Sequence, residues 1–307
     1  MRNRFAETFY ELGKTDQRLC VVVADISPAG SIAKFRREFP DRFINTGVAE
    51  QIMIGLAAGM AQRGLRPFAY TIATFALYRP FEMVRDDLCY QNLPVTVVGI
   101  GGGVTYSTLG ATHHAQEDIS IACSVPNMNV IAPCDPAETE LATRWCAIQE
   151  NGPVYLRLGK AGEPDLTSNA IESFIFGRLR YIYRGNDICI VAYGAIMKIA
   201  AEVAERLREQ GRSVSLVSAH TLKPLDLEGL AGILSMHREV VVIEETSVQG
   251  SLGTKIKALA FEHGAACKLH CFSLKDSFIH IYGSHEELLA AHGLSPQAIF
   301  GTLTQKI

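Results

Sequence analysis

The sequence of 307 residues lacks the signals that mark several large classes of protein. No Cys-x-x-Cys pair occurs among its eight cysteines, so no zinc or redox motif of that spacing is indicated. It has no basic run, and its net charge of −3 gives no sign of a nucleic-acid partner. Every apolar stretch of membrane-spanning length contains a charge or a turn signal, which argues against a membrane protein.

The first residues do not have the pattern of a secretory signal peptide. Arg2, Arg4 and Glu7 stand where a signal peptide needs an apolar core. The cysteines are scattered through apolar runs, as is typical of free thiols in a reducing compartment, and we expect a cytoplasmic protein. Hydrophobic residues make up 48% of the chain and charged residues 20%, a composition typical of well-packed globular proteins.

Short apolar runs alternate with amphipathic segments along most of the chain. This alternation predicts an α/β fold with two doubly wound domains and mainly parallel sheets. We assign residues 1–165 to the first domain, 166–185 to a linker and 186–307 to the second domain. Residues 75–91 are predicted to form one long helix. Ligands gather at the carboxyl ends of strands in such sheets, and several polar or glycine-rich segments follow strands of the first domain.

A carboxylate at Glu50 is unusual because it begins an apolar, small-residue helix. A helix start favours a negative charge, whereas the apolar neighbours Val48, Ile52 and Ile54 predict burial, which favours the neutral acid. A carboxyl group under both influences can exchange a proton with a ligand near neutral pH. The alternative is an ordinary first-turn glutamate that complements the helix end.

Other candidate side chains follow neighbouring strands. His113 and His114 stand at a loop-to-helix junction, where a histidine can bind an oxyanion or move a proton, although capping or core roles are the simpler alternative. Phe75 can stack on a flat heterocycle, and Arg79 is a fixed cation suited to a phosphate. No ligand spacing around these residues indicates a metal site.

Taken together, these segments resemble the transketolase family of thiamine diphosphate enzymes. The resemblance covers essentially the whole chain, but only the carboxyl-terminal half of a full-length transketolase. The matching stretches are Arg42-Phe-Ile-Asn-Thr-Gly47-Val-Ala-Glu50-Gln51, Gly110-Ala-Thr-His113-His114-Ala-Gln-Glu-Asp118, Val125-Pro-Asn-Met-Asn-Val-Ile-Ala-Pro-Cys-Asp135, Gly152-Pro-Val-Tyr-Leu-Arg157, Thr221-Leu-Lys-Pro-Leu-Asp226, Glu244-Glu245 and Ile281-Tyr-Gly-Ser284.

The resemblance implies roles for individual residues. Glu50 occupies the position of the glutamate that hydrogen-bonds the aminopyrimidine ring of the cofactor and so activates it. Phe75 matches the aromatic residue that stacks on that ring, with Tyr78 as the neighbouring alternative. His113 matches the histidine that contacts an oxygen of the donor substrate.

The substrate side of the expected site differs in part from the family. Arg79, His114 and Lys160 are expected to bind substrate, with Arg79 and Lys160 placed for a sugar phosphate. Lys160 replaces an arginine common in the family, so the phosphate is held less firmly. Leu109 replaces an acid that reads a sugar hydroxyl, which puts the usual ketose preference in doubt.

The family motif Gly-Asp-Gly with its downstream Asn is missing from this sequence. In the family that motif holds Mg²⁺ and the diphosphate of the cofactor. The resemblance therefore implies an N-terminal transketolase-type partner subunit that carries both. Two copies of this chain would pair within a heterotetramer, through the apolar helix near Glu50.

The expected function is the small subunit of a split transketolase, which transfers a two-carbon ketol unit between a ketose and an aldose. Three alternatives remain open: the beta subunit of a 2-oxoacid dehydrogenase decarboxylase component, a relative of deoxyxylulose-phosphate synthase, and a non-catalytic regulatory subunit. Release of carbon dioxide from a 2-oxoacid would favour the first alternative. Failure to bind cofactor with a partner would favour the last.

Overall fold

The chain forms two mainly parallel β-sheets, each covered by helices, in a computed structural model that describes residues 1–26, 31–150 and 152–305. The predicted fold class is therefore confirmed. The strands are β1 Leu19–Val23, β2 Phe43–Asn45, β3 Arg66–Ile72, β4 Thr96–Ile100, β5 Asn129–Ile131, β6 Val154–Leu158, β7 Arg180–Tyr183, β8 Ile188–Ala192, β9 Val214–Ser218, β10 Thr221–Lys223, β11 Glu239–Ser247 and β12 Lys268–Leu274.

Helices lie before, between and after the strands. They are α1 Arg2–Thr15, α2 Ser31–Glu38, α3 Glu50–Gln62, α4 Ala73–Leu77, α5 Phe81–Met83, α6 Asp118–Ser124, α7 Pro136–Ile148, α8 Met197–Glu209, α9 Leu227–Met236, α10 Leu252–Glu262, α11 His285–Ala291 and α12 Pro296–Thr304. Within the described ranges, none of these helices has the length and apolar character needed to cross a bilayer.

The first sheet has seven strands in the order β10-β5-β6-β4-β3-β1-β2. Alternate residues of its strands face opposite sides, so Val21 and Val23 of β1 pack into one core cluster and Val22 into another. Helices α1, α2 and α7 cover the first side, and α3 and α4 cover the second. Such burial on both faces requires the continuous apolar strands that the sequence shows.

The second sheet has five strands in the order β12-β11-β8-β9-β7. Its strands are parallel except for β7, which runs antiparallel to β9. Helix α8 covers one face, and α9 and α10 cover the other. The apolar cluster beneath α9 and α10 continues into the core that lies beneath α3 and α4 of the first sheet, so the two sheets share apolar packing.

Two short strands depart from the sequence-based division of the chain. Strand β7 lies inside the stretch 166–185 that we interpreted as a linker, and its residues belong to the second sheet. Strand β10 follows three strands of the second sheet but pairs antiparallel with β5, at the edge of the first sheet. The boundaries 1–165, 166–185 and 186–307 stay a prediction.

The predicted long helix at 75–91 is wrong in detail. The chain forms α4, a turn at 78–80, the short α5 and a π-helical turn at Val84–Tyr90. Pro80 lacks a backbone N–H and disfavours helical geometry in the residue before it, which explains the interruption. The break places Arg79 on a turn rather than on the flank of a continuous helix.

Candidate active site

Glu50 opens helix α3 at the rim of the first sheet. It follows β2 through the turn at 45–49, where Gly47 adopts a positive φ of 69°. Its side chain is buried, as predicted, with the residue only 3% exposed. The three apolar neighbours of Glu50 in the sequence differ in burial: Ile54 is buried, whereas Val48 and Ile52 are 69% and 63% exposed. Those two apolar side chains therefore face outward, beside a buried acid.

Arg79 reaches back from its turn to Glu50. Its Nη1 donates a hydrogen bond to Oε1 of Glu50 at 2.8 Å, and the side chain of Arg79 stays 44% exposed. The same guanidinium lies over the ring of Phe75, with its central carbon 4.1 Å from the ring centroid. One planar cation thus contacts both the predicted acid and the predicted stacking ring.

His113 contacts the same aromatic ring. The rings of Phe75 and His113 meet edge to face, with centroids 5.1 Å apart. Nδ1 of His113 lies 3.0 Å from Oγ1 of Thr112. Burial and, to a lesser extent, the charge of Arg79 lower the pKa of His113 below its usual 6.5. The imidazole is therefore neutral at pH 7 and can accept or donate a hydrogen bond.

Tyr106 extends this group of contacts outward. Its ring lies 6.1 Å from that of His113, and Nζ of Lys160 lies 4.9 Å from the Tyr106 centroid. Lys160 is exposed, so its ammonium group is available to an incoming anion. The structure thus brings together Glu50, Phe75, Arg79, His113 and Lys160 through consecutive contacts. We call these five residues and Tyr106 the rim cluster.

Tyr78 and His114 have surroundings unlike those of the rim cluster. The hydroxyl of Tyr78 donates to Oε2 of Glu117 at 2.9 Å and accepts from the backbone N–H of Glu117 at 3.1 Å. His114 is buried, and burial lowers its pKa. The side chain of Tyr78 therefore fixes the loop that carries His113, and the predicted contacts of Tyr78 and His114 with cofactor or substrate stay predictions.

Sequence reasoning missed the residues that hold the loop at 101–109. Glu245, at the end of β11, accepts a hydrogen bond from the backbone N–H of Val104 at 2.8 Å and contacts Nε2 of His285 at 2.8 Å. Gly103 has a φ of 64°, and a Cβ there would lie 2.3 Å from the Glu245 carboxylate. The sequence pointed to the Glu244-Glu245 pair through the family motif. It did not indicate the contacts of Glu245, because Val104 and His285 lie far from it in the sequence.

Arg157 connects the same loop region to both domains. Its Nε donates to Oδ2 of Asp118 at 2.8 Å, and its Nη2 donates to the backbone carbonyl of Glu245 at 2.8 Å. All three residues are buried. Arg157 therefore joins α6 to β11 through two buried hydrogen bonds, which the surrounding low dielectric strengthens.

The rim cluster fits a flat, nitrogen-rich ring. The guanidinium of Arg79 is planar, lies on Phe75 and presents an N–H to Glu50. An aminopyrimidine ring requires a stacking surface and a carboxyl group at its ring nitrogen, so the acid and the aromatic ring have suitable positions for it. Among the residues with described placement, no group of three His, Cys, Asp or Glu side chains is arranged to hold a metal ion.

Two α/β domains in tandem, with a buried acid and a stacking ring at one rim of the first, define the class of protein. Residues 1–162 match the family described as "Transketolase, pyrimidine binding domain", and residues 177–299 match "Transketolase, C-terminal domain". The chain belongs to the transketolase family. Membership implies a thiamine-diphosphate-dependent transferase, as the sequence motifs predicted.

Several relatives share its length. The chain is 30% identical over 301 residues to one subunit of an apulose-4-phosphate transketolase of Phocaeicola vulgatus, covering 98% of this chain and 95% of the relative. A solved structure described as "Split gene transketolase, inactive beta4 tetramer" has a TM-score of 0.88 and 33% identity, covering 98% and 96%. A 1-deoxy-D-xylulose-5-phosphate synthase of Clostridium perfringens is 32% identical over 302 residues, covering 98% of this chain but 48% of that enzyme.

Proposed function

We propose that this chain is the pyrimidine-binding subunit of a split transketolase and transfers a two-carbon ketol unit from a ketose to an aldose. The observation that carries the proposal is the joint placement of Glu50 and Phe75 around one planar N–H group. Similarity along nearly the full length of a single transketolase subunit supports a division of the enzyme between two chains.

Thiamine diphosphate, when bound, supplies the reactive carbon that takes up and releases the two-carbon unit. Glu50 would hydrogen-bond the nitrogen edge of its pyrimidine ring, and the ring face would lie on Phe75. The partner subunit would hold the diphosphate and Mg²⁺, since this sequence contains no Gly-Asp-Gly motif. Burial of Glu50 excludes water from the carboxyl group and strengthens its hydrogen bond.

The remaining rim residues would select and orient the sugar. His113, neutral at pH 7, would hydrogen-bond an oxygen of the donor. Lys160, at the outer end of the cluster, would attract a phosphate as a single-point cation. Leu109 is exposed on the loop that carries His113, where it offers no charge to a sugar hydroxyl. The sugar phosphate named for one relative is consistent with the cation at Lys160.

The assembly we propose has two copies of this chain and two of the N-terminal partner, in the cytoplasm. Val48 and Ile52 are exposed at the start of α3, close to Glu50. Two apolar side chains beside a candidate active site are suited to contact with another subunit. The site would then lie at a subunit interface.

Reconstitution tests this function. The chain is combined with a candidate partner that carries a Gly-Asp-Gly element, and ketol transfer is measured with thiamine diphosphate and Mg²⁺. Glu50→Gln and Glu50→Ala should each lower kcat by about a thousandfold or more, because the acid acts on the cofactor itself. Glu38→Gln is the matched control, since Glu38 is an exposed acid that bonds Tyr10.

Full activity of the Glu50 variants would refute the role assigned to this acid. Release of carbon dioxide from pyruvate or a branched 2-oxoacid by the same pair would instead identify a decarboxylase component. A pair that catalyses neither reaction and does not bind thiamine diphosphate would identify a non-catalytic subunit.

A further inference from the structure

The contact between Arg79 and Glu50 has no counterpart in the roles predicted from sequence. Arg79 was expected to bind a sugar phosphate, yet its guanidinium lies inside the rim cluster, 2.8 Å from the Glu50 carboxylate. Among the residues that the structure describes, no other side chain hydrogen-bonds to Glu50. Arg79 is therefore the partner of a buried acid in the free chain.

A partner of this kind is physically necessary. A buried carboxylate without a hydrogen-bond donor is strongly unfavourable, and removing one member of such a pair leaves an uncompensated charge. A guanidinium combines a flat face, which stacks on Phe75, with an N–H edge, which bonds to Glu50. A lysine ammonium would supply the charge but no flat face.

We propose that Arg79 is a placeholder for the aminopyrimidine ring of the cofactor. This inference rests on the proposed function. The guanidinium and the ring need the same carboxyl group of Glu50 and the same ring of Phe75, so they exclude each other. Arg79 therefore leaves the site as the ring enters, and the affinity for the cofactor is reduced by the strength of the Arg79 contacts.

The position of Arg79 allows this movement. The side chain is already 44% exposed and arises from the turn between α4 and α5, so it can rotate into solvent without disturbing a helix. Once displaced, the cation stands at the entrance of the rim cluster. There the guanidinium is free to bind the sugar phosphate expected from the resemblance. Arg79 would thus contact Glu50 before the cofactor binds and the phosphate afterwards.

A binding titration tests the placeholder. Thiamine diphosphate with Mg²⁺ is titrated by calorimetry into pairs formed with the partner subunit and wild-type or variant chain. Arg79→Gln should tighten binding about tenfold, because the competing group is lost. Arg79→Lys should show a smaller change in the same direction. Arg85→Gln is the control, because Arg85 is 61% exposed and pairs with the adjacent Asp86.

Unchanged or weaker binding by the Arg79→Gln pair, with normal binding by wild type, would overturn the placeholder alone. No binding by the wild-type pair would reject the proposed function as well. A second measurement needs no cofactor: urea unfolding of the isolated chain. Arg79→Gln should lower the midpoint in the wild-type background and not in Glu50→Gln, and equal losses in both backgrounds would show that the contact is absent.

Discussion

The protonation state of His113 decides what this residue can do to a substrate oxygen. Burial and the charge of Arg79 both disfavour the imidazolium, so the pKa of His113 lies below 6.5. Acidification through that lowered pKa should therefore reduce kcat/KM of the reconstituted pair. His113→Asn should lower kcat/KM by about ten- to a hundredfold. It should also abolish the acid limb of the pH profile, which is the fall in kcat/KM towards low pH. A pH profile of kcat/KM for both proteins checks the prediction.

Arg79 supplies a control for the titration of His113 in the chain free of cofactor, where both side chains lie in the rim cluster. Its loss in Arg79→Gln removes a nearby positive charge, so the pKa of His113, followed by NMR, should rise towards 6.5. An acid limb that persists unchanged in the His113→Asn protein would assign the titration to another group. In that case the protonation state of His113 would not limit kcat/KM.

Single residues also show how far the sequence predicts the site. The burial of Glu50 and the proximity of Phe75 and His113 follow from motifs at strand ends, because parallel strands bring their carboxyl ends to one edge. The pairing of Arg79 with Glu50 does not follow, since it depends on how a long side chain folds back from a turn. Tyr106 was missed for a similar reason: a loop residue carries no periodicity that fixes its direction.

At the scale of elements, helix α3 presents two different surfaces. Met53, Ile54 and Ala57 are buried in the core, whereas Ile52 is exposed near the amino end of the helix. Because large exposed apolar side chains often mark contact surfaces, we expect this end of α3 to face a second copy of the chain. The sequence showed only an apolar helix, and burial in the structure separates its core side from its outer side.

Ile52→Asp should weaken self-association of the isolated chain by about tenfold or more, because it would place a charge in an apolar interface. Analytical ultracentrifugation over a range of concentrations measures the effect. Ile148→Asp is a matched control, since Ile148 is 69% exposed on α7, which covers the opposite side of the first sheet. Equal sedimentation of wild type and Ile52→Asp would show that this end of α3 is not the contact surface.

At the scale of the whole molecule, the two domains are joined by more than a linker. Strand β10 completes the first sheet although it follows three strands of the second in the chain, and Arg157 bonds groups from both halves. Periodicity predicted most of the strands and helices, because it reports local amphipathic character. It did not predict β7 or β10, since short edge strands depend on pairing with distant segments.

Glu245, which accepts a hydrogen bond from Val104 of the first domain, also contacts His285 within the second domain, and this second contact is sensitive to pH. Burial alone would lower the pKa of His285, but the Glu245 carboxylate outweighs it and raises the pKa above 6.5. Burial would raise the pKa of Glu245, and His285 with Arg157 lowers it below 4.5 instead. The stability from His285 is therefore complete below about pH 6.5 and is lost as the pH rises through its raised folded-state pKa.

Glu245 contributes fully to stability above about pH 4.5, and this contribution is lost as the pH falls through its lowered folded-state pKa. The pair therefore stabilises the fold most between about pH 4.5 and pH 6.5. His285→Gln should therefore lower the free energy of unfolding by about 1–3 kcal/mol near pH 6, and the deficit should shrink towards about pH 9. Urea unfolding of both isolated chains across this range measures the difference. A deficit that is constant or grows with pH would contradict a charged contact between His285 and Glu245, because a protonated imidazole loses its attraction for the carboxylate on deprotonation.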